Sequence, residues 1–416
     1  MKFSANLTFI VFTTTLAFST FAGAADELPL HGFLQGNYSA NTQASNPDGG
    51  DFKIAEERLE LRLDASKEPF RFFLKGDAFY DHVDEGAKVK LREGYVDYVS
   101  GNFDMRAGRQ IITWGHGDLV FVNDIFPKDY EAFFSGQPLE YMKKGVDALK
   151  LGAYPGPVSV EAVIMPSFEA SNTPRAGRYI LYDPMPSVTL RERKEPPATA
   201  KNTQAALRLY GDVAGYETAA YLYRGFYGSP SMRPDNLSVP SRIDLFYPGL
   251  NVYGLSMQGG VLNGVVSLEA GYYDSRDDRA GSDPFTPNSS AKFLAGYQRQ
   301  MWEDFTLGLQ YSIEYMADYS EYVRTLPAGF ITARRARDVA TMRLTQLLKY
   351  QTIKLSLFVI YSPADGDSIV NPEVNYKFAD GIWASIGANI FGGKSFTPFG
   401  SLSRDGNAYL QARFEF

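Results

Sequence analysis

Charged residues in this chain sit on alternate positions of short apolar runs, and that spacing is where its chemistry has to start. Leu59-Glu60-Leu61-Arg62-Leu63-Asp64-Ala65 is the plainest case. Along a strand successive side chains point to opposite faces, so Leu59, Leu61, Leu63 and Ala65 share an apolar face and Glu60, Arg62 and Asp64 a polar one. The same reading places Arg58, Arg71, Lys75, Asp77, Glu93, Asp97, Arg106, Arg208, Arg224, Glu314, Arg343, Lys354, Glu373, Arg413 and Glu415 on the polar face. So many charges cannot be buried dry at reasonable cost, which argues for a wet interior. What such a lining can do is select solutes by charge at a narrow point. Opposed rows of arginine and carboxylate would set up a transverse field that orients dipolar solutes. The competing expectation is that these charges only pair across neighbouring strands.

Catalytic chemistry has little to work with. There is no Cys, and the three histidines are His31, His82 and His116. No G-x-S-x-G or H-E-x-x-H pattern occurs. His82 beside Asp81 and Asp84 is the one place where a rim-sited hydrolase could activate water; the plainer reading is a solvated histidine in an acidic loop. Asp277-Asp278 with Asp283, and Asp365 with Asp367, lack a fixed ligand spacing and read as solvated turns. The expectation is therefore no enzyme, no metal and no cofactor. A net charge of −7 excludes the strongly basic face that nucleic acid requires.

The elements that must hold this lining are strands. Eighteen candidates recur, at 31–42, 53–65, 70–82, 88–99, 102–112, 146–153, 157–167, 202–211, 215–226, 249–258, 261–274, 290–300, 304–316, 337–349, 351–362, 367–377, 382–392 and 405–416. Sixteen is the alternative count. Tight links such as Ser66-Lys67-Glu68-Pro69, Ser100-Gly101, Gly259-Gly260 and Lys349-Tyr350 follow every second strand. Most of the intervening links are long: 43–52, 113–145, 168–201, 227–248, 275–289, 317–336 and 393–404. A soluble sandwich has no reason to sort its loops by parity, whereas an outer-membrane barrel has short periplasmic turns and long extracellular loops. Aromatics at 14%, with 27 Tyr and 30 Phe, suit the girdles of such a barrel.

The fold class expected is all-β: a transmembrane antiparallel up-and-down barrel of about eighteen strands, residues 25–416, in the bacterial outer membrane. Open edges cannot exist in lipid, so the first strand must pair with the last, bringing Gly32 beside Phe416. Residues 1–24 read as a signal peptide: Lys2, an apolar stretch from Leu7 to Phe21, then Ala22-Gly23-Ala24 with cleavage after Ala24. Strict alternation from Met105 and Ala107 directs Arg109 toward lipid. A bulge at Gly108 would turn it into the lumen, and that reading is adopted because a lipid-facing Arg near midplane costs roughly 2–4 kcal/mol. Two long links are candidates to fold inward and narrow the pore: 113–145, with Trp114, Asp118, Phe126 and Lys128, and 168–201, with Arg175, Arg178, Arg191, Arg193 and Lys194.

The tail Tyr409-Leu410-Gln411-Ala412-Arg413-Phe414-Glu415-Phe416 resembles the signal by which bacterial outer-membrane proteins are recognised for insertion, with Phe416 as its terminal residue. Leu91-Arg92-Glu93-Gly94-Tyr95-Val96-Asp97-Tyr98, followed by Met105-Arg106-Ala107-Gly108-Arg109-Gln110-Ile111-Ile112-Thr113-Trp114-Gly115 and reaching Asp124-Ile125-Phe126-Pro127, resembles a hairpin of the alginate-export-type porins and their uncharacterised relatives. The resemblance implies an eighteen-stranded porin. It also implies a strongly cationic lumen for a polyanionic sugar, and there this sequence departs, because its polar face mixes signs. The function expected is passive diffusion of small polar or charged solutes. The partners expected are membrane lipid and lipopolysaccharide, the insertion machinery and the solute. The rival from another class is a barrel that sheathes a periplasmic or electron-transfer protein, which would need a wide lumen without an inward loop.

Overall fold

The computed structural model describes residues 30–416, so the leader expected at 1–24 lies outside the described residues. Eighteen antiparallel strands close into one barrel. In chain order they begin with β1 (Leu30–Asn41), β2 (Phe52–Lys67), β3 (Phe70–Asp81), β4 (Gly86–Ser100), β5 (Phe103–Gln110), β6 (Val146–Ala153) and β7 (Val158–Met165). A small three-stranded sheet of loop segments, β8 (Arg191–Lys194), β11 (Ser231–Pro234) and β12 (Ile243–Phe246), lies outside the barrel. The wall resumes with β9 (Gln204–Val213), β10 (Tyr216–Phe226), β13 (Gly249–Val261), β14 (Gly264–Ser275), β15 (Ser290–Trp302) and β16 (Phe305–Met316). It ends with β17 (Ala336–Leu348), β18 (Ile353–Ser362), β19 (Asp367–Ala379), β20 (Ile382–Gly392) and β21 (Asn407–Glu415).

Each expected strand overlaps an observed one. The loop sheet was missed: its strands are four residues long, too short for alternation to show. Closure follows the expectation. β1 pairs with β21 from Phe33↔Glu415 to Asn41↔Asn407, and Gly32 and Phe416 exchange two backbone hydrogen bonds of 2.9 Å. One turn moves. Gly259-Gly260 lie inside β13, and the chain reverses at Leu262-Asn263, whose φ values of 51° and 59° are those of a type I′ hairpin.

The two faces separate as the alternation requires. On β1, Leu34 and Tyr38 are exposed on the outside while Gln35, Asn37 and Ser39 are buried within. The main apolar clusters form inside the barrel, between its inner wall and the link from β5 to β6. One gathers Ile112, Trp114, Phe126, Tyr221, Tyr223 and Tyr273. The other gathers Phe133, Met142, Tyr179, Phe358 and Phe391.

Candidate functional site: the loop-narrowed lumen

Residues 111–145 leave the top of β5 and cross the lumen. The wall holds them first through Glu269, on the inner face of β14. Its carboxylate accepts the backbone N–H groups of His116 (2.5 Å), Gly117 (2.8 Å) and Asn123 (3.0 Å), and the Asn123 side-chain amide (2.8 Å). This wrap needs the two glycines of Gly115-His116-Gly117. Gly115 has φ +78° and a Cβ there would lie 2.9 Å from Glu269, while a Cβ on Gly117 would lie 1.8 Å from the Val120 carbonyl oxygen. Trp114 donates its indole N–H to Glu161 (2.7 Å) and stacks edge-on against Phe126. Asp118 pairs with Arg343 of β17.

Past the buried Asp124–Lys128 pair (3.0 Å), Asp129 caps the short helix Tyr130–Phe134 by accepting from the Ala132 N–H (2.9 Å). The carbonyl oxygen of Phe134 accepts from Asn389 (3.1 Å) and Asn407 (2.9 Å), and that of Gly136 from Gln411. The loop then presents Glu140 to Arg413 (2.5 Å), with Lys75 at 3.6 Å and Arg92 at 3.8 Å. Burial would raise the Glu140 carboxyl, but Arg413, Lys75 and Arg92 outweigh it and hold the group below its ordinary value. Tyr141 lies between the guanidinium groups of Arg58 (4.5 Å) and Arg92 (4.2 Å), and burial pushes its phenol well up.

The second long link also turns inward. Arg178 pairs with Asp81 and Asp84, both at 2.5 Å, and its carbonyl oxygen accepts from Lys53, which in turn meets Asp405 at 2.6 Å. Arg191, Arg193 and Lys194 lie in the outer loop sheet instead.

The expected lining residues divide clearly. Arg58, Glu60, Arg62, Asp64, Arg71, Lys75, Asp77, Glu93, Asp97, Arg106, Arg208, Glu314, Arg343, Lys354, Glu373, Arg413 and Glu415 share the inward register. Arg109 and Arg224 do not. The pairing of β5 runs unbroken up to Arg109 on the β4 side and past it on the β6 side, so no inserted residue turns it inward. It stays on the outer side and reaches Asp147 (3.4 Å) and Glu169 (3.0 Å). Gly108 is needed for a different reason: at φ +129° it lies so close to β4 that a Cβ would be 2.2 Å from the Gly94 carbonyl oxygen. Arg224 shares its face with the exposed Leu222, because Tyr221 and Tyr223 turn inward to join the Trp114 cluster.

The inward charges are not sorted into facing rows. Arg58 pairs with Glu56 (2.8 Å) and Asp77 (2.5 Å), Glu60 with Arg92 (3.1 Å) and Lys75 (3.3 Å), and Arg106 with Asp97 (2.6 Å). Cations and carboxylates alternate on the wall β2–β5, which favours cross-strand pairing over the transverse field expected there. Arg62 and Lys354 are exposed toward the short-turn end and carry no ion pair with a described residue.

Sequence reasoning missed Arg92, Glu56 and Glu269. Alternation was sufficient to find the last two. It could not find Arg92, because a register shift between Lys75 and Gly76 brings both Arg92 and Glu93 to the inner side. The rim dyad does not assemble. His82 meets Glu57 (2.8 Å) on the outer side, whereas Asp81 and Asp84 are held by Arg178.

No family model matches the sequence, and no curated protein does either. Solved structures share the architecture. Pseudomonas aeruginosa OccD3 (OpdP) aligns at a TM-score of 0.56 and 11% identity, over 94% of this chain and 92% of that one. OccK11 (OpdR) of the same organism aligns at 0.53 and 9% identity, over 93% and 95%. A mutant of Rh. blastica porin aligns at 0.43 and 14% identity, over 94% and 100%. At these identities the first two show a shared closed-barrel fold.

Proposed function

We propose that this chain is an outer-membrane channel for passive diffusion of small polar or charged solutes, narrowed by residues 111–145. The observation that carries this reading is the inward loop itself. It is tied to opposite walls through Glu269 and Glu140, while its own Glu140 and Asp118 and the wall's Arg343 stay about one-third exposed. An apolar outer face, a charged inner face and long loops at one end only are what an outer-membrane barrel requires. The sheath reading needs a wide lumen, and the loop occupies that space. The polyanion implied by the alginate-export resemblance is not carried over, because carboxylates sit beside most cations of the wall β2–β5. Lipid, lipopolysaccharide and the insertion machinery belong to this proposal as its membrane partners, and Phe416 as the insertion signal.

The test is single-channel conductance of the refolded barrel in a planar bilayer, with ion selectivity from the reversal potential. Stable steps support the channel. A folded barrel that stays silent overturns it.

A further inference from the structure

The outer wall carries a groove that the channel does not use. On the outward side of β13–β16, Ala270 and Ala295 floor a groove of about 450 Å³ between Leu255, Leu268, Phe293 and Tyr311. Those four flanking side chains are all exposed. Toward the long-loop end the exposed Tyr253 and Tyr272 follow, and above them the wall turns cationic.

Arg224 projects outward from β10, exposed and without a hydrogen bond or ion pair to any described residue. Its register neighbour Asn251 donates to Asp274 (2.9 Å). Arg279 donates to the same carboxylate at 2.9 and 2.8 Å, yet its side chain is 65% exposed, so N–H groups remain free to face outward. Arg276 completes the patch and donates to the Gly225 carbonyl oxygen (2.6 Å). Burial and the nearby Arg224 hold its guanidinium below the ordinary value, while Asp277, whose carboxylate accepts the Gly249 N–H (2.7 Å), works against that. Among the described residues Asp274 ion-pairs with Arg279 alone.

We propose that this wall binds a phosphorylated, acylated lipid of the outer leaflet, the lipid A portion of lipopolysaccharide, with a phosphate on Arg224 and Arg279 and an acyl chain in the groove. The inference rests on the outer-membrane reading above. At ~3.3 Å per residue on strands tilted about 40°, Leu255 and Ala270 lie roughly 10 Å below Asn251 and Asp274. That offset places the acyl chain just under its head group. Arginine forks suit phosphate oxygens, and the exposed tyrosines suit the interface between head group and chain.

A second groove of the same wall supplies a control. It is larger, about 780 Å³, and its lining includes Leu34, Leu59, Ala78 and Tyr80, but Glu57 joins it at the long-loop end. Glu57 is bonded to Tyr38 and to His82 (2.8 Å). The first site sets Arg224, Arg276 and Arg279 against Asp274 and Asp277, whereas among the described residues Glu57 has no arginine bonded to it, so the balance of charge rather than shape selects the first groove.

The test is native mass spectrometry of the folded mature barrel titrated with lipid A, beside Arg224→Glu/Arg279→Glu, Ala270→Phe and Glu57→Gln variants. Heat-modifiable gel mobility shows that each is folded. The expected result is one retained lipid A, bound at least about tenfold more weakly by the double arginine variant. Ala270→Phe weakens binding as well, and Glu57→Gln does not. A folded double variant that binds equally well, or equal binding of dephosphorylated lipid A, overturns the site. Conductance of the same preparation in bilayers free of lipid A separates the two readings. A conducting barrel without lipid preference sinks the lipid site alone, and a barrel that enters no bilayer sinks both.

Discussion

Glu269 and Glu140 hold the same loop to opposite walls, but the two carboxylates belong to opposite partners. Glu269 is part of the wall, 4% exposed, and takes N–H groups from the loop. Glu140 is part of the loop, with a side chain 34% exposed, and takes guanidinium N–H groups from the wall. The first anchor works through neutral donors beside an apolar cluster, so salt has little purchase on it. The second works between formal charges near water and is screened and titratable. One flank of the loop is thus framework, and the other is the flank that the proposed channel would present to solute.

Changes at the framework flank should break this contrast most visibly. Trp114→Ala empties the centre of the cluster, and a loss of about 3–5 kcal/mol is expected. Thermal unfolding should reveal it, together with larger and noisier conductance steps. Glu269→Ala leaves three backbone N–H groups of the loop and the Asn123 side-chain amide without this acceptor, for an expected loss of about 3 kcal/mol. Glu269→Gln, which keeps an acceptor oxygen, should recover part of that. Unchanged steps in both Glu269 variants would mean that the loop is not held from this side.

At the charged flank the effects should be smaller and different in kind. Glu140→Gln costs about 1 kcal/mol, since the pair is partly solvated, but it uncovers Arg413 and Arg92. Reversal-potential measurements should then shift toward anion selectivity. Equal selectivity in variant and parent would remove Glu140 from the conducting path. The Glu140 carboxyl sits below its ordinary value in the folded chain. Its contribution is therefore complete above about pH 4.5 and is lost as pH falls through the lowered value. Selectivity should stay flat from neutral pH down to that region and change only below it, and Glu140→Gln should abolish the change. His82→Ala, on the outer side against Glu57, should leave conductance unaltered.

Arg224 shows where alternation alone fails. Its strand reads Ala219-Ala220-Tyr221-Leu222-Tyr223-Arg224, apolar on both faces. Charge then serves as the tie-breaker and points Arg224 inward. The structure reverses it, because the inward loop brings Trp114 and Phe126 against Tyr221 and so makes the tyrosine face the inner one. β2 offers no such ambiguity, with leucine on one side and charge on the other, and there every assignment agrees with the observed register.

The strands, their facing over most of the wall, the alternation of short and long links and the meeting of Gly32 with Phe416 were all determined by the sequence by itself. They follow from a two-residue period and from the need to satisfy every backbone group in a closed sheet, both local or topological constraints. Tertiary structure decided what fills the barrel. Glu269 meets His116 and Gly117 across more than 150 residues, Glu140 meets Arg413 across 273, and the register shift at Lys75/Gly76 admits Arg92. No periodicity records such meetings, because they depend on which wall a long loop reaches once the barrel has closed around it.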